Sequence, residues 1–172
     1  WVDNRLGRPS QRLRNHQRIT YLRPDFLEPE VDENFEVVYE DGALIAFNKC
    51  GNLPTSPSGK YFKHTLVNLA KQRLGRETLL TLHRLDRETS GVVAFAKHKA
   101  AAQKVAEHFR NRQVHKTYQA ILSKHLPEPV TVDQPIGPAL DSVIRIKQAV
   151  TPQGKPSQTH FQPLDEIGDS QL

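Results

Sequence analysis

Hydrophobic and polar positions alternate or cluster along the chain in segments that read as separate elements. Phe35-Glu36-Val37-Val38-Tyr39 and Ala43-Leu44-Ile45-Ala46-Phe47 flank Glu40-Asp41-Gly42. Two strand-like runs around Asp-Gly predict a β-hairpin, since Asp-Gly between such runs is a hairpin signal. Over residues 65–74, Leu66, Leu69, Ala70 and Leu74 fall on one helical face, with Thr65 placed to cap the start and Gly75 the end. Leu79-Leu80-Thr81-Leu82 and Gly91-Val92-Val93-Ala94-Phe95-Ala96 have the length and side chains of buried strands. Between them lies the polar loop His83-Arg84-Leu85-Asp86-Arg87-Glu88-Thr89-Ser90. A second helix is expected over about 99–112, with Ala102, Val105, Ala106 and Phe109 at helical spacing.

Later segments are less regular. Lys116 to Leu122 reads as a strand with Tyr118, Ala120 and Leu122 on one face. Residues 123–143 read as a proline-rich connection, and 144–150 and 158–164 as two more strands. At the other end, residues 1–24 form a basic arm in which 18–22 is a candidate short strand, and residues 25–34, acidic and carrying Pro29, read as a linker. The pattern places the main domain at 35–172, with strand-like runs and helices in one segment.

Composition narrows the function classes. The chain has 172 residues, enough for one domain with a core, and 37% of them are hydrophobic. Its net charge of +5 permits a polyanionic partner without requiring one. The six arginines of the arm (Arg5, Arg8, Arg12, Arg14, Arg18 and Arg23) face one acid, Asp3, over residues 1–23, which fits either a solvated arm or contact with a nucleic-acid backbone. The same choice holds for the second helix, whose polar face is basic. Cys50 is the only cysteine, which leaves no internal disulfide and no cysteine-based metal site. No apolar stretch approaches the roughly 20 residues that span a membrane, and residues 1–5 carry no apolar signal region. A reducing, soluble compartment, bacterial cytoplasm by default, is the expectation. Gly59-Lys60 fails as a phosphate loop, since Pro54 replaces the required glycine and Tyr61 the Ser or Thr. The histidines never fall in His-Glu-x-x-His spacing, and no metal site is expected.

Candidate chemistry centres on Asp86. It lies between Arg84 and Arg87 in a loop held by two strands, and a cationic neighbour keeps a partly buried carboxylate ionised. Such a group can serve as nucleophile or base toward an anionic substrate. A surface turn of the same composition is the competing interpretation.

The stretch His83-Arg84-Leu85-Asp86, then Thr89-Ser90-Gly91 and an apolar strand, resembles the active-site motif of the RluA-type pseudouridine synthases. Lys116-x-Tyr118-x-Ala120 after a basic helix resembles the second motif of that family. Pro135-Ile136-Gly137 with Gly154-Lys155-Pro156-x-x-Thr159-x-Phe161 is similar to its third. The loop Lys49-Cys50-Gly51-Asn52 resembles a further family stretch, with Cys50 where the family usually has proline. The resemblance covers about residues 35–164 and implies the pseudouridine synthase catalytic fold, in an incomplete form: the α+β class, a mixed and largely antiparallel sheet with flanking helices. It implies an isomerase that converts uridines of ribosomal or transfer RNA, acts as a monomer and needs no cofactor. By the same resemblance Asp86 and Tyr118 are catalytic, Arg84 fills the gap left by the displaced base, and His83 and Lys116 contact phosphate or support the loop. The basic arm resembles the last strands of a small RNA-binding domain. No counterpart of the family's Thr-Gly-Arg-Thr-His-Gln-Ile-Arg-like run is found, and that run supplies an arginine partner for the aspartate. The isolated chain is therefore expected to be inactive or impaired. Two other readings remain: a non-catalytic RNA-binding protein of the same fold, and a glycoside or nucleoside hydrolase using Glu88 as a second carboxylate.

Overall fold

The computed structural model describes residues 1–22, 26–144 and 146–165. The chain divides into two compact units, Trp1–His115 and Lys116–Leu172. In the first, a four-stranded antiparallel sheet runs in the order β1 (Phe35–Glu40), β2 (Leu44–Lys49), β4 (Gly91–Ala96), β3 (Leu80–Thr81). Two helices accompany it, α1 (Leu66–Leu74) and α2 (Lys99–Arg110).

The predicted hairpin forms because Asp41 organises its turn. Its Oδ1 accepts the N–H groups of Ala43 (2.8 Å) and Leu44 (2.7 Å), and its own N–H donates to the Leu44 carbonyl. Strand alternation then sends Ile45 and Phe47 of β2 inward, opposite Phe95 and Val93 of β4. All four are fully buried. Phe35, Phe47 and Phe95 pack edge to face, with centroids 5.5 and 5.7 Å apart, the geometry ring quadrupoles favour. Leu66, Val67 and Ala70 of α1 and the loop residues Leu53 and Leu85 complete this core.

Helix α1 ends where expected, at Gly75 with φ 60°, a conformation that costs glycine nothing. Thr65 occupies the N-cap position, but its hydroxyl donates backward to the Phe62 carbonyl and not to the helix. In α2 the cap is His98, whose Nδ1 accepts the Ala101 N–H at 3.2 Å. That helix stops at Arg110, two residues earlier than the spacing predicts, and Arg112 takes a positive φ of 56°.

Gly91 has φ +120° where the Asp86 loop enters β4. A Cβ there meets only Leu85 Cδ1 at 3.9 Å, so the cost of a side chain lies in the backbone. Gly91→Ala is expected to cost about 1–3 kcal/mol, read as a lowered denaturant midpoint with an unchanged slope.

The segment read as a linker is pinned. The Cys50 N–H donates to the Asn34 carbonyl, and the Glu28 carboxylate accepts three consecutive backbone N–H groups, from Phe62, Lys63 (2.9 Å) and His64 (3.0 Å). Desolvation works against the charge of Glu28, but the three amides outweigh it and hold the carboxyl below its ordinary range. A depressed carboxylate pKa contributes stability above the unfolded-state value and loses it as pH falls through the folded-state value. Glu28→Gln is therefore expected to unfold at lower urea than the parent at pH 7. The gap should close as the pH falls below roughly 4.

The basic arm closes on itself. Trp1 and Thr20 exchange hydrogen bonds at both ends, and Asp3 accepts from the Arg18 N–H and the Gln17 amide, both at 2.8 Å. The strand expected at 18–22 reduces to a single bridge between Val2 and Ile19. Arg5, Arg8, Arg12, Arg14 and Arg18 are exposed, and Arg23 lies outside the described residues.

The second unit holds two separate strand pairs, β5 (Val130–Asp133) with β8 (Gln158–Phe161) and β6 (Ile136–Pro138) with β7 (Gln148–Val150). The proline-rich connection thus carries two short strands. The segments expected at 144–150 and 158–164 shorten to 148–150 and 158–161. The strand expected at 116–122 does not form: those residues have no ladder partner among the described residues, and a strand exists only by pairing. Ile136 and Lys155 exchange backbone hydrogen bonds at 2.9 and 2.8 Å, which joins the Pro-Ile-Gly and Gly-Lys-Pro stretches.

Candidate active site

The loop carrying Asp86 is fixed from both sides. Leu85 points into the core and is 6% exposed. Its backbone is held by one buried hydroxyl: Thr55 Oγ1 accepts the Leu85 N–H at 3.1 Å and donates to the Leu85 carbonyl at 2.8 Å. Two residues on, the Arg87 carbonyl accepts from the Leu53 N–H and from Lys49 Nζ, both at 3.1 Å. The Thr89 N–H closes a turn on the Asp86 carbonyl. Gly51 passes so close that an added Cβ meets the Glu88 carbonyl at 3.3 Å.

Asp86, at the apex of this loop, is exposed, and its carboxylate makes no hydrogen bond or ion pair among the described residues. The arginines beside it in sequence do not pair with it. The Arg87 guanidinium turns away to the Glu88 carboxylate and the Tyr61 hydroxyl. Arg84 is exposed and likewise unpaired among the described residues. A compensating charge comes from Lys49, which interacts electrostatically with Asp86. Lys49 is 1% exposed, and its ammonium donates to the Cys50 carbonyl at 2.8 Å as well as to that of Arg87. Burial pushes its pKa below the usual lysine range, while Cys50, Glu88 and Asp86 pull it back up.

His83 opens the loop. Its Nε2 accepts the Ala94 N–H from β4 at 3.1 Å, and its ring packs against Phe109 of α2 at 5.7 Å. That contact brings the end of the basic helix to the start of the loop. His83, Arg84 and Asp86 therefore share one rigid segment of the first unit. Lys116 and Tyr118 belong to the second unit, where both are exposed.

Among the described residues no group of three His, Cys, Asp or Glu side chains is placed to hold a metal, and no helix is long and apolar enough to cross a membrane. Two surface depressions, of about 530 and 280 Å³, are lined by residues around α1 and include none of the Asp86 loop. Asp86 itself is exposed to solvent.

Comparison with known proteins decides the family. The family model described as RNA pseudouridylate synthase matches residues 43–172. The chain belongs to this family. Among curated relatives of these synthases it is 30% identical over 160 residues to an uncharacterized RNA pseudouridine synthase of Synechocystis, covering 92% of this chain and 55% of the relative. It is 36% identical over 131 residues to another from Chloroflexus aurantiacus, covering 73% of this chain and 41% of the relative. With the ribosomal large subunit pseudouridine synthase D of Haemophilus influenzae it shares 28% identity over 185 residues, covering 96% of this chain and 55% of the relative. The chain spans about half the length of the first of these relatives. The solved structure of human RNA pseudouridylate synthase domain containing 1 superposes with a TM-score of 0.62 at 28% identity, covering 78% of this chain and 54% of that one. The α+β synthase fold and the family read from the motifs both stand.

Thr55, Lys49 and Tyr61 are the residues that motif reading missed. Lys49 had a legible signal, because period two continues inward from Ile45 and Phe47 to position 49 once β2 is allowed two more residues. Thr55 and Tyr61 act through contacts 30 and 26 residues away in the sequence, which no local pattern encodes.

Proposed function

We propose that the protein isomerises uridine to pseudouridine in RNA, with Asp86 as the reacting carboxylate. The observation that carries this is a free, exposed carboxylate at the apex of a loop clamped on both flanks by buried hydrogen bonds. Preorganisation of this kind spares the reaction the cost of fixing the group. In the isomerisation the N1–C1′ bond of uridine breaks, C5–C1′ forms, C5 loses its proton and N1 gains one. The product is an isomer of the substrate, so no redox partner is needed. Asp86 assists at C1′, either by attacking the sugar or by helping the base to leave and taking the proton.

The uridine must leave its stack, at a cost of a few kcal/mol. Arg84, with its planar guanidinium unengaged, fills the vacated place. Of the two roles expected of His83, its geometry favours loop support, since the Nε2 that accepts from Ala94 is not free to donate to a phosphate. Tyr118 packs the target base or handles a proton at the sugar, and Lys116 contacts phosphate. The substrate is ribosomal or transfer RNA. The name of the Haemophilus relative, which refers to the large ribosomal subunit, favours ribosomal RNA. We assign a monomer acting in the cytoplasm. The hydrolase alternative loses support because the Glu88 carboxylate is engaged by Arg87.

The test is to incubate the natural gene product, and the 172-residue chain by itself, with unmodified ribosomal and transfer RNA and count pseudouridine. Product with the natural protein supports the proposal. RNA binding without product in either case leaves a non-catalytic RNA-binding protein of the same fold.

A further inference from the structure

Away from the Asp86 loop, the outer side of α1 carries an open depression of about 530 Å³ lined by Phe62, Lys63, Asn68, Lys71, Gln72 and Arg76. Asn68, Lys71 and Gln72 share one helical face, opposite the buried Leu66, Val67 and Ala70. The lining holds three cations and no acid. Lys63 and Lys71 make no ion pair among the described residues. Arg76 bonds Glu40 at 2.8 Å, but that carboxylate is shared with Lys97 at 2.6 Å, so the group of three remains net positive. Glu28, the acid that reaches this neighbourhood, is occupied by the amides of residues 62–64.

The helix dipole offers a simpler account of part of this charge, since cations are favoured near a helix C-terminus and Lys71 and Arg76 lie there. It does not account for Lys63, which precedes the N-cap, where the dipole disfavours a cation. Nor does it account for Phe62, a large aromatic side chain left 66% exposed at the rim. An uncovered aromatic interleaved with unpaired cations is the arrangement that binds single-stranded nucleic acid, through base stacking and phosphate neutralisation.

We propose that this depression is a second RNA contact, in which a base of a single-stranded segment stacks on Phe62 while Lys63, Lys71 and Arg76 neutralise the adjoining phosphates. The proposal rests on the reading of RNA as substrate and adds where an unpaired stretch of that RNA is held. Such a contact selects substrates with an unpaired segment, since a continuous helix offers no free base face.

The test uses the 172-residue chain, a labelled single-stranded oligoribonucleotide and a blunt RNA duplex, with binding followed by fluorescence anisotropy over a range of salt. The double variant Lys63→Gln/Lys71→Gln should reduce the slope of log K against log salt by about 1.4, two single-strand phosphates at roughly 0.7 each. Phe62→Ala should weaken the single strand about tenfold or more and leave the duplex unchanged. Both sites are at the surface, so circular dichroism and denaturant midpoints should match the parent. An unchanged slope in the double variant, or equal loss of duplex and single strand in Phe62→Ala, overturns the proposal. These results separate from the enzymatic reading: pseudouridine formed by the natural gene product while the slope is unchanged overturns this surface alone, and a reduced slope with no pseudouridine formed by the natural gene product keeps the surface and overturns the chemistry. A parent chain that binds no RNA overturns this surface too.

Discussion

Asp86→Asn should reduce pseudouridine formation by roughly a thousandfold or more while changing RNA affinity by less than about twofold. Asparagine has the shape of aspartate but neither the charge nor the basicity that attack at C1′ or proton removal requires. The Asp86 carboxylate makes no hydrogen bond or ion pair among the described residues, so its amide replacement breaks no direct contact and removes only the last of three electrostatic pulls on Lys49. Fold stability should therefore stay within about 0.5 kcal/mol, as for surface changes without structural consequence. Single-turnover conversion, measured beside anisotropy and a urea midpoint, separates the three quantities. Conversion that survives in Asp86→Asn rules out the assignment of this residue.

Thr55→Val should have the opposite signature, a large loss of stability that carries activity with it. Valine keeps the volume and β-branching of threonine, so packing and local backbone preference change little. What disappears is the hydroxyl that serves both the N–H and the carbonyl of Leu85. Both groups are buried, and each unsatisfied one costs about 1–3 kcal/mol. The expected loss is about 2–4 kcal/mol, a substantial part of the 5–15 kcal/mol typical of a domain. Because the clamp lies one residue from Asp86, the rate should fall even at temperatures where the variant remains folded. Thr55→Ser, which retains the hydroxyl, should restore most of both. A Thr55→Val protein with parent-like stability would show that the Leu85 groups find other partners.

Elements with a strong local signal were legible in the sequence. The hairpin followed from Asp41-Gly42, α1 from its apolar face and Gly75, and the Asp86 loop from the two apolar runs beside it. The loop's chemistry was legible as a candidate, but its electrostatics were misjudged. Adjacency suggested that Arg87 serves Asp86, whereas extended side chains reach past their neighbours and Arg87 finds Glu88 and Tyr61. The positive charge beneath the loop comes instead from Lys49, which reads as a loop residue if β2 is ended at Phe47. The segment 116–122 shows the limit of period two. Alternation describes which face a strand would bury, but pairing decides whether the strand exists, and no ladder partner for it occurs among the described residues.

Cys50 donates its thiol to the Asp32 carbonyl at 3.2 Å, beneath the segment that Glu28 also pins. Burial, followed by the nearby charge of Asp32, pushes this thiol above its usual range, and the thiolate is the form that alkylates. With one cysteine and no methionine, the chain contains a single sulfur atom. Its rate of alkylation thus reports the accessibility of this one half-buried thiol beside the 28–34 strap, free of interference from any other thiol or thioether.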